Sequence, residues 1–310
     1  MKKYIFYLLM IGISLIIIIS FYSNNDQNEK SNSNNTREGM GLNSNTIQIG
    51  LLDTNGKLID NGSKLLEKKN KLDYTISIDN FIDNESEYKL IVLADFQQVS
   101  FTVSGEEFIT YDFNIGANES KNIETRIDYK EPINEIVYLL IKEPNFLFKP
   151  EEITPEVMEA AGYLEQILTL RFSVDNGSKN IDFSNKFLEN NSIPIVEAYL
   201  SANSSVLDPV FEKKSGEKLK LSIGNVLDEE LELAVIQFVN WDQLEFEKGK
   251  DVEYLKVEPG KVYTKDIELP KVEKEKNYQV IAFYKPYSVS PSDYNSLFTF
   301  GTYRLVISPR

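Results

Sequence analysis

From Thr46 onward, apolar and polar positions alternate with the period of two that sets successive side chains on opposite faces of a strand. Ile47-Ile49-Leu51, Tyr74-Ile76-Ile78, Leu90-Val92, Leu219-Leu221-Ile223, Leu231-Leu233-Val235 and Val280-Ala282-Tyr284 each place apolar groups on one face. Asn55-Gly56, Asn61-Gly62, Gly116, Asn176-Gly177, Ser215-Gly216 and Pro259-Gly260 fall between such runs and predict short connections. One short helix is expected to start at Thr154, with Pro155 in its first turn, Glu156 favourable to its dipole and Gly162 at its end.

The first 45 residues have other patterns. Residues 4–22 are uncharged and mostly apolar, and 19 such residues span about 28 Å as a helix, close to the thickness of a bilayer core. Lys2 and Lys3 precede them, so the positive-inside rule keeps the N-terminus cytoplasmic and the remainder outside. No alanine occurs before Ala94, which predicts an uncleaved anchor over residues 1–22; cleavage near Ser20 or Ser23, giving a secreted protein, is the alternative. Residues 23–45 are dominated by Asn and Ser and are expected to form a disordered tether whose ends lie about 25 Å apart.

A duplication organises the rest. Asn80 through Phe101 aligns without a gap on Asn225 through Phe246 at an offset of 145, matching Asp83 with Asp228, Glu85 with Glu230, Phe96 with Trp241 and Gln98 with Gln243. Further on, Phe113-Asn114-Ile115 corresponds to Leu255-Lys256-Val257, and Ile141-Lys142 to Tyr284-Lys285. Both copies finish on a similar strand, from Thr169 to Val174 and from Thr302 to Ile307. Residues 46–176 form repeat one and 192–310 repeat two, joined by a polar linker at 177–191. Many short strands in units of this length predict two tandem antiparallel β-sandwiches, an all-β fold, with a barrel as the alternative.

The run Ile76-Ser77-Ile78-Asp79-Asn80, an acidic turn and then Tyr88 to Leu93, repeated around Asn225, resembles bacterial extracytoplasmic immunoglobulin-like or fibronectin-type-III-like modules. The resemblance implies the fold and no activity.

Composition narrows the chemistry. The chain has 310 residues, 42% of them hydrophobic and 12% aromatic, in keeping with folded domains. It has no cysteine, which removes disulfides, thiol nucleophiles, thiolate metal sites and a lipid-bearing N-terminal cysteine. It has no histidine, the usual general base and transition-metal ligand. The net charge is −15, and −17 without Lys2 and Lys3, a balance that repels nucleic acid.

Within that frame no catalytic residue, metal ligand or cofactor site stands out. Ser86-Glu-Tyr-Lys89, Ser201-Ala-Asn203 and Lys214-Ser-Gly216 follow the order of the motifs of penicillin-recognising serine enzymes. A strand, however, would point Ser86 and Lys89 to opposite faces. The acidic turn from Asp79 to Glu87 has oxygen ligands but not the spacing of a calcium loop, and a solvated turn is expected. Phe96 and Trp241 are expected between the two sheets of a sandwich. The tyrosines of residues 284–298 fall among turn residues, and Tyr284, Tyr287, Tyr294 and Phe298 are the candidate binding residues, in the manner of a paratope loop. Its counterpart at 144–150 is apolar for a connection and leads into the predicted helix.

The expected function is a membrane-anchored extracytoplasmic binding protein for a protein or cell-envelope polymer, held to the membrane by its N-terminal helix. An accessory subunit of a membrane transport or secretion complex is the second reading, and a carboxylate-dependent hydrolase the third.

Overall fold

The computed structural model describes residues 46–67, 70–151, 154, 166–174, 179, 181–183, 198–202 and 210–310. The expected anchor (1–22) and tether (23–45) lie outside the described residues, as do the predicted helix beyond Thr154 and most of the linker at 177–191. Among the described residues no helix is long and apolar enough to cross a membrane.

The protein is all-β. The first eleven strands are β1 (Ile47–Leu52), β2 (Leu58–Ile59), β3 (Lys71–Asn80), β4 (Ser86–Ala94), β5 (Gln97–Gln98), β6 (Phe101–Val103), β7 (Glu106–Phe108), β8 (Thr110–Ile115), β9 (Ser120–Asp128), β10 (Glu135–Lys142) and β11 (Ile167–Ser173). Ten more follow: β12 (Ala198–Ser201), β13 (Glu212–Lys214), β14 (Lys218–Gly224), β15 (Leu231–Val239), β16 (Asp242–Leu244), β17 (Glu253–Val257), β18 (Val262–Glu268), β19 (Lys276–Tyr284), β20 (Thr299–Gly301) and β21 (Leu305–Ser308). A 3-10 turn at Tyr294–Leu297 precedes β20.

Each repeat contributes an outer and an inner sheet. The outer sheet of repeat one runs β2-β1-β3-β9-β6-β7, and its inner sheet β11-β10-β4-β5 with β8 also on β4. In repeat two the outer sheet is β12-β14-β18, and the inner sheet runs β13-β21-β19-β15-β16, with β17 on β15 and β20 on β19. Pairing between these strands is antiparallel except for β13 on β21. Ile76, Ile78, Tyr88, Leu90, Ile136 and Tyr138 help fill the first sandwich. Leu221, Ile223, Leu233, Val235, Val280 and Leu305 help fill the second.

The inner sheets also pack on each other. Ile91, Leu93, Val137, Leu139 and Ile141 from one meet Ala234, Ile236, Phe238, Ile281 and Phe283 from the other in a third apolar core. The molecule is therefore four sheets deep. β10 is buried along its whole length, with Ile136, Tyr138 and Leu140 facing the first sandwich and Val137, Leu139 and Ile141 facing the second repeat. A strand covered on both faces needs apolar residues at every position, and the uninterrupted Ile-Val-Tyr-Leu-Leu-Ile of 136–141 supplies them.

Phe96 and Trp241 sit in this third core, so the expectation that each lies between the sheets of its own sandwich is corrected. Both are second residues of two-residue hairpin turns. Asp95 and Phe96 have φ of 50° and 66°, and Asn240 and Trp241 have 48° and 74°. Left-handed conformations at both turn residues match the twist of the hairpin, but a bulky aromatic pays a steric cost there. Its compensation is the near-complete burial of each ring against the opposite repeat.

The pairing also moves one sequence equivalence. Tyr88 pairs with Lys142 and its counterpart Leu233 pairs with Tyr284, so Lys142-Glu143-Pro144 matches Tyr284-Lys285-Pro286, one residue away from the expected alignment. Glu143 and Lys285, now equivalent, share φ of 46° and 47°. A slip of one residue exchanges the faces of a strand, and only this register sets Leu139 and Ile141 opposite Ile281 and Phe283 in the shared core.

Candidate interaction site at the seam

The seam between the repeats has an approximate twofold relation that the duplication makes possible. The Gln98 N–H donates to Gln243 Oε1 at 2.6 Å, and the Gln243 N–H donates to Gln98 Oε1 at 2.8 Å. Gln98 Nε2 donates to the Trp241 carbonyl at 3.0 Å and Gln243 Nε2 to the Phe96 carbonyl at 2.9 Å. Each repeat also sends a buried arginine across. Arg171 Nη1 donates to the carbonyls of Tyr284 at 2.6 Å and Ser296 at 2.7 Å. Arg304 donates to those of Lys142 and Glu143, both at 2.6 Å. The Arg171 guanidinium lies 5.9 and 5.7 Å from the Phe96 and Phe283 ring centres, and that of Arg304 4.9 Å from Trp241. Arg171 Nη2 has no hydrogen-bond partner. The flanking aromatic faces stabilise its charge instead.

The segment after β10 meets the hairpin after β15, and the segment after β19 meets the hairpin after β4, so the seam has two dissimilar ends. At one end the Trp241 indole donates to the Pro144 carbonyl at 2.7 Å, and Asn277 Nδ2 donates to the carbonyls of Pro144 and Phe146, both at 3.1 Å. The apolar 144–150 connection accordingly docks on repeat two, and Phe148 packs on Phe211.

The other end holds the loop selected from the sequence. Tyr284 is buried in the second sandwich with its hydroxyl donating to Glu229 Oε1 at 2.7 Å. Phe298 packs against the same core, and its carbonyl accepts from the Tyr284 N–H at 3.0 Å. Tyr287 rests on the seam core, its ring edge-on to Phe96 and its hydroxyl 2.5 Å from that of Tyr254. Tyr294 is 56% exposed. The four candidates therefore divide between two that hold the loop, one at the seam and one facing solvent. Lys285 Nζ bonds Asp293 at 3.0 Å, and the Ser290 N–H donates to Ser296 Oγ at 2.9 Å, bracing the loop internally. Gly62 of repeat one lies against it so closely that a Cβ there would come within 2.5 Å of the Ser290 carbonyl carbon.

Beside Tyr287 is a polar cluster. Glu135 is fully buried, accepting from Arg171 Nε at 2.8 Å and from the Tyr287 N–H at 2.7 Å. Burial pushes its carboxyl above the ordinary glutamate range, and Arg171 pulls it back only in part. Asp95 Oδ1 accepts from the N–H groups of Asn134 at 2.8 Å and Glu135 at 3.0 Å. Its Oδ2 accepts from Asn134 Nδ2 at 3.0 Å and Lys179 Nζ at 3.1 Å. Burial raises the Tyr254 hydroxyl to about 12 and raises that of Tyr287 as well. Carboxylates held on both oxygens suit recognition of a fixed cation better than proton transfer. Of the linker, Phe183 packs edge-on to Tyr254 with ring centres 6.2 Å apart, and Lys179 lies across Tyr287.

Sequence reasoning passed over Asp95, Glu135, Arg171 and Tyr254. One signal was present: Arg171 and Arg304 recur at matching places in otherwise apolar closing strands, the mark of a buried charge with a fixed partner.

The acidic turns are structural. Asn80 is buried, with Nδ2 donating to the carbonyls of Asn84 at 3.1 Å and Gly116 at 2.9 Å. Asn225 repeats this on Glu229 at 2.8 Å and Val257 at 2.7 Å. Their Oδ1 atoms accept from the N–H groups of Ile82 at 3.3 Å and Leu227 at 2.9 Å. Asp83 and Glu85 take separate partners, Asn118 and Asn114, and among the described residues no three acidic groups converge to hold a metal ion. Ser86 opens β4, and Lys89 pairs with Asp112 at 2.5 Å.

No family model matches the chain, and no curated protein does. Among solved structures it is similar to a transglutaminase from red sea bream, at 8% identity over 85% of this chain and 31% of that one, with a TM-score of 0.23. It is similar also to the Salmonella enterica SafA pilin in complex with the SafB chaperone, at 14% identity, over 83% of this chain and 95% of that one, with a TM-score of 0.25. The E. coli chaperone DraB is 11% identical over 83% of this chain and 96% of its own, with a TM-score of 0.26. The chain thus spans less than a third of that transglutaminase, and likeness at these scores adds nothing to the strand pairing described above.

Proposed function

We propose that the chain is an anchored extracytoplasmic interaction protein: residues 1–22 hold it in the membrane, 23–45 let it stand off, and the fused double sandwich engages a protein partner. The observation that carries this reading is the seam, which turns two tandem sandwiches into one rigid body. A rigid body keeps its loops in fixed relation, so little order must be imposed when a partner docks. The two asparagine turns supply matched contact points, with Phe81 42% and Val226 57% exposed on loops whose bases are buried. The 19-residue apolar run behind Lys2 and Lys3 supports the anchor and its orientation.

The test uses the full chain with a C-terminal tag in the cells that make it. Protease added to intact cells should remove the tag, carbonate washing should leave the protein in the membrane fraction, and crosslinking should give a discrete partner band that Phe81→Asp with Val226→Asp abolishes. A tag protected from protease, release by carbonate, or a band indifferent to the paired substitution would each overturn this reading.

A further inference from the structure

The two ends of the seam differ in charge although the backbone treats them alike. The Asp95 N–H donates to the Glu135 carbonyl at 2.8 Å, and the Asn240 N–H donates to that of Asn277 at 2.7 Å, so the same turn is closed in the same way. At the Pro144 end, however, Asn240, Asn277 and Asn145 stand where the other end has Asp95, Glu135 and Tyr287. A neutral Asn240 suffices for the fold, and the charge of Asp95 needs another reason.

That reason lies at its outer oxygen. Asn134 and Glu135 fix one oxygen of Asp95 through two N–H groups, and Asn134 Nδ2 holds Oδ2 beside Tyr287. There it receives Lys179 Nζ at 3.1 Å. The same ammonium lies 3.3 Å from the Tyr287 hydroxyl and 5.0 Å from the ring centre. Tyr287 is itself fixed by Tyr254 and by the bond of its N–H to Glu135. A preset carboxylate beside an aromatic ring is the chemistry that recognises an ammonium group. The Lys179 side chain is 43% exposed and that of Asp95 only 13%, so the receiving group is built into the body and the cation is laid on from outside.

We infer that Asp95 and Tyr287 form a primary-ammonium site, filled in cis by Lys179, which takes a lysine side chain from the partner protein when Lys179 leaves. This rests on the interaction reading above and names the partner's recognised group. The −15 charge of the chain also favours a basic partner surface.

The test uses the full chain in detergent, carrying Lys179→Ala, titrated with n-butylammonium chloride against sodium chloride at equal ionic strength. Thermal unfolding should shift upward saturably with butylammonium. The shift should vanish when Asp95→Asn is added, need severalfold more ligand when Tyr287→Phe is added instead, and need far more ligand in the unsubstituted protein, where Lys179 competes. Absence of a saturable shift in Lys179→Ala, or an equal shift in all variants, overturns the site. If Asp95→Asn fails to fold, the Tyr287→Phe arm decides, because it removes only the hydroxyl. A negative result here leaves the topology and crosslinking test standing, and failure of that test leaves butylammonium binding measurable.

Discussion

Asn80 and Asn225 carry more of this fold than their place in acidic turns foretells. Each amide ties its turn to a distant segment, donating to two carbonyls and accepting from the N–H two residues on. Loss of such an amide strands buried carbonyls, at about 1–3 kcal/mol. Asn225→Ala should therefore lower unfolding stability by about 2 kcal/mol, read as a lower urea midpoint at an unchanged slope, whereas Asp228→Ala on the exposed part of the same turn should change it little. A midpoint unmoved by Asn225→Ala would refute the structural role. The residue type was legible in the duplication, since Asn recurs at offset 145, but its partners were not, because Val257 lies 32 residues away.

At the scale of elements, the hairpins after β4 and β15 couple the repeats. Gln98 and Gln243 lie 145 residues apart and form reciprocal bonds. Alanine at each position alone and at both should yield a coupling energy of about 0.5–3 kcal/mol in a double-mutant cycle, and additive effects would mean that the bonds do not join the repeats. The pairing of these two residues in sequence signalled equivalence and gave no sign that they touch. The repeats also differ by one element. Twelve residues lead from Phe101 to Phe113 and nine from Phe246 to Leu255, and the three extra residues make room for the β6–β7 hairpin beside β9. β18, the counterpart of β9, ends its sheet with Lys265 turned toward the buried Glu253 at 2.8 Å. An inward charge on an edge strand discourages another chain from pairing there.

The whole molecule buries its tyrosines deeply, and this sets its response to alkali. Burial raises the hydroxyls of Tyr138, Tyr263, Tyr278, Tyr284 and Tyr287, and raises Tyr254 to about 12. The unfolded chain would lose these protons near the ordinary value of 10.0. Between those values the folded state binds more protons than the unfolded, so the contribution to stability is complete below pH 10 and is lost as pH rises through the folded range. Because one core joins both sandwiches, tyrosinate absorbance, Trp241 fluorescence and strand circular dichroism should change together in a single alkaline transition. Separate transitions for the two repeats would show that the seam does not unite them.

The sequence by itself determined the strands, the turns and the duplication, because alternation and turn chemistry act over a few residues. It also carried the double burial of β10 in its unbroken apolar run, which alternation alone does not distinguish from ordinary core strands. The tertiary structure decided which faces meet. Whether Phe96 and Trp241 turn into their own sandwich or into the neighbouring repeat depends on contacts between the repeats, as does the placing of Tyr287 beside Asp95, Glu135 and Arg171 at one end of the seam. Local preference fixes the conformation of a segment, while the pairing of distant surfaces is settled by the apolar area that only the assembled body removes from water.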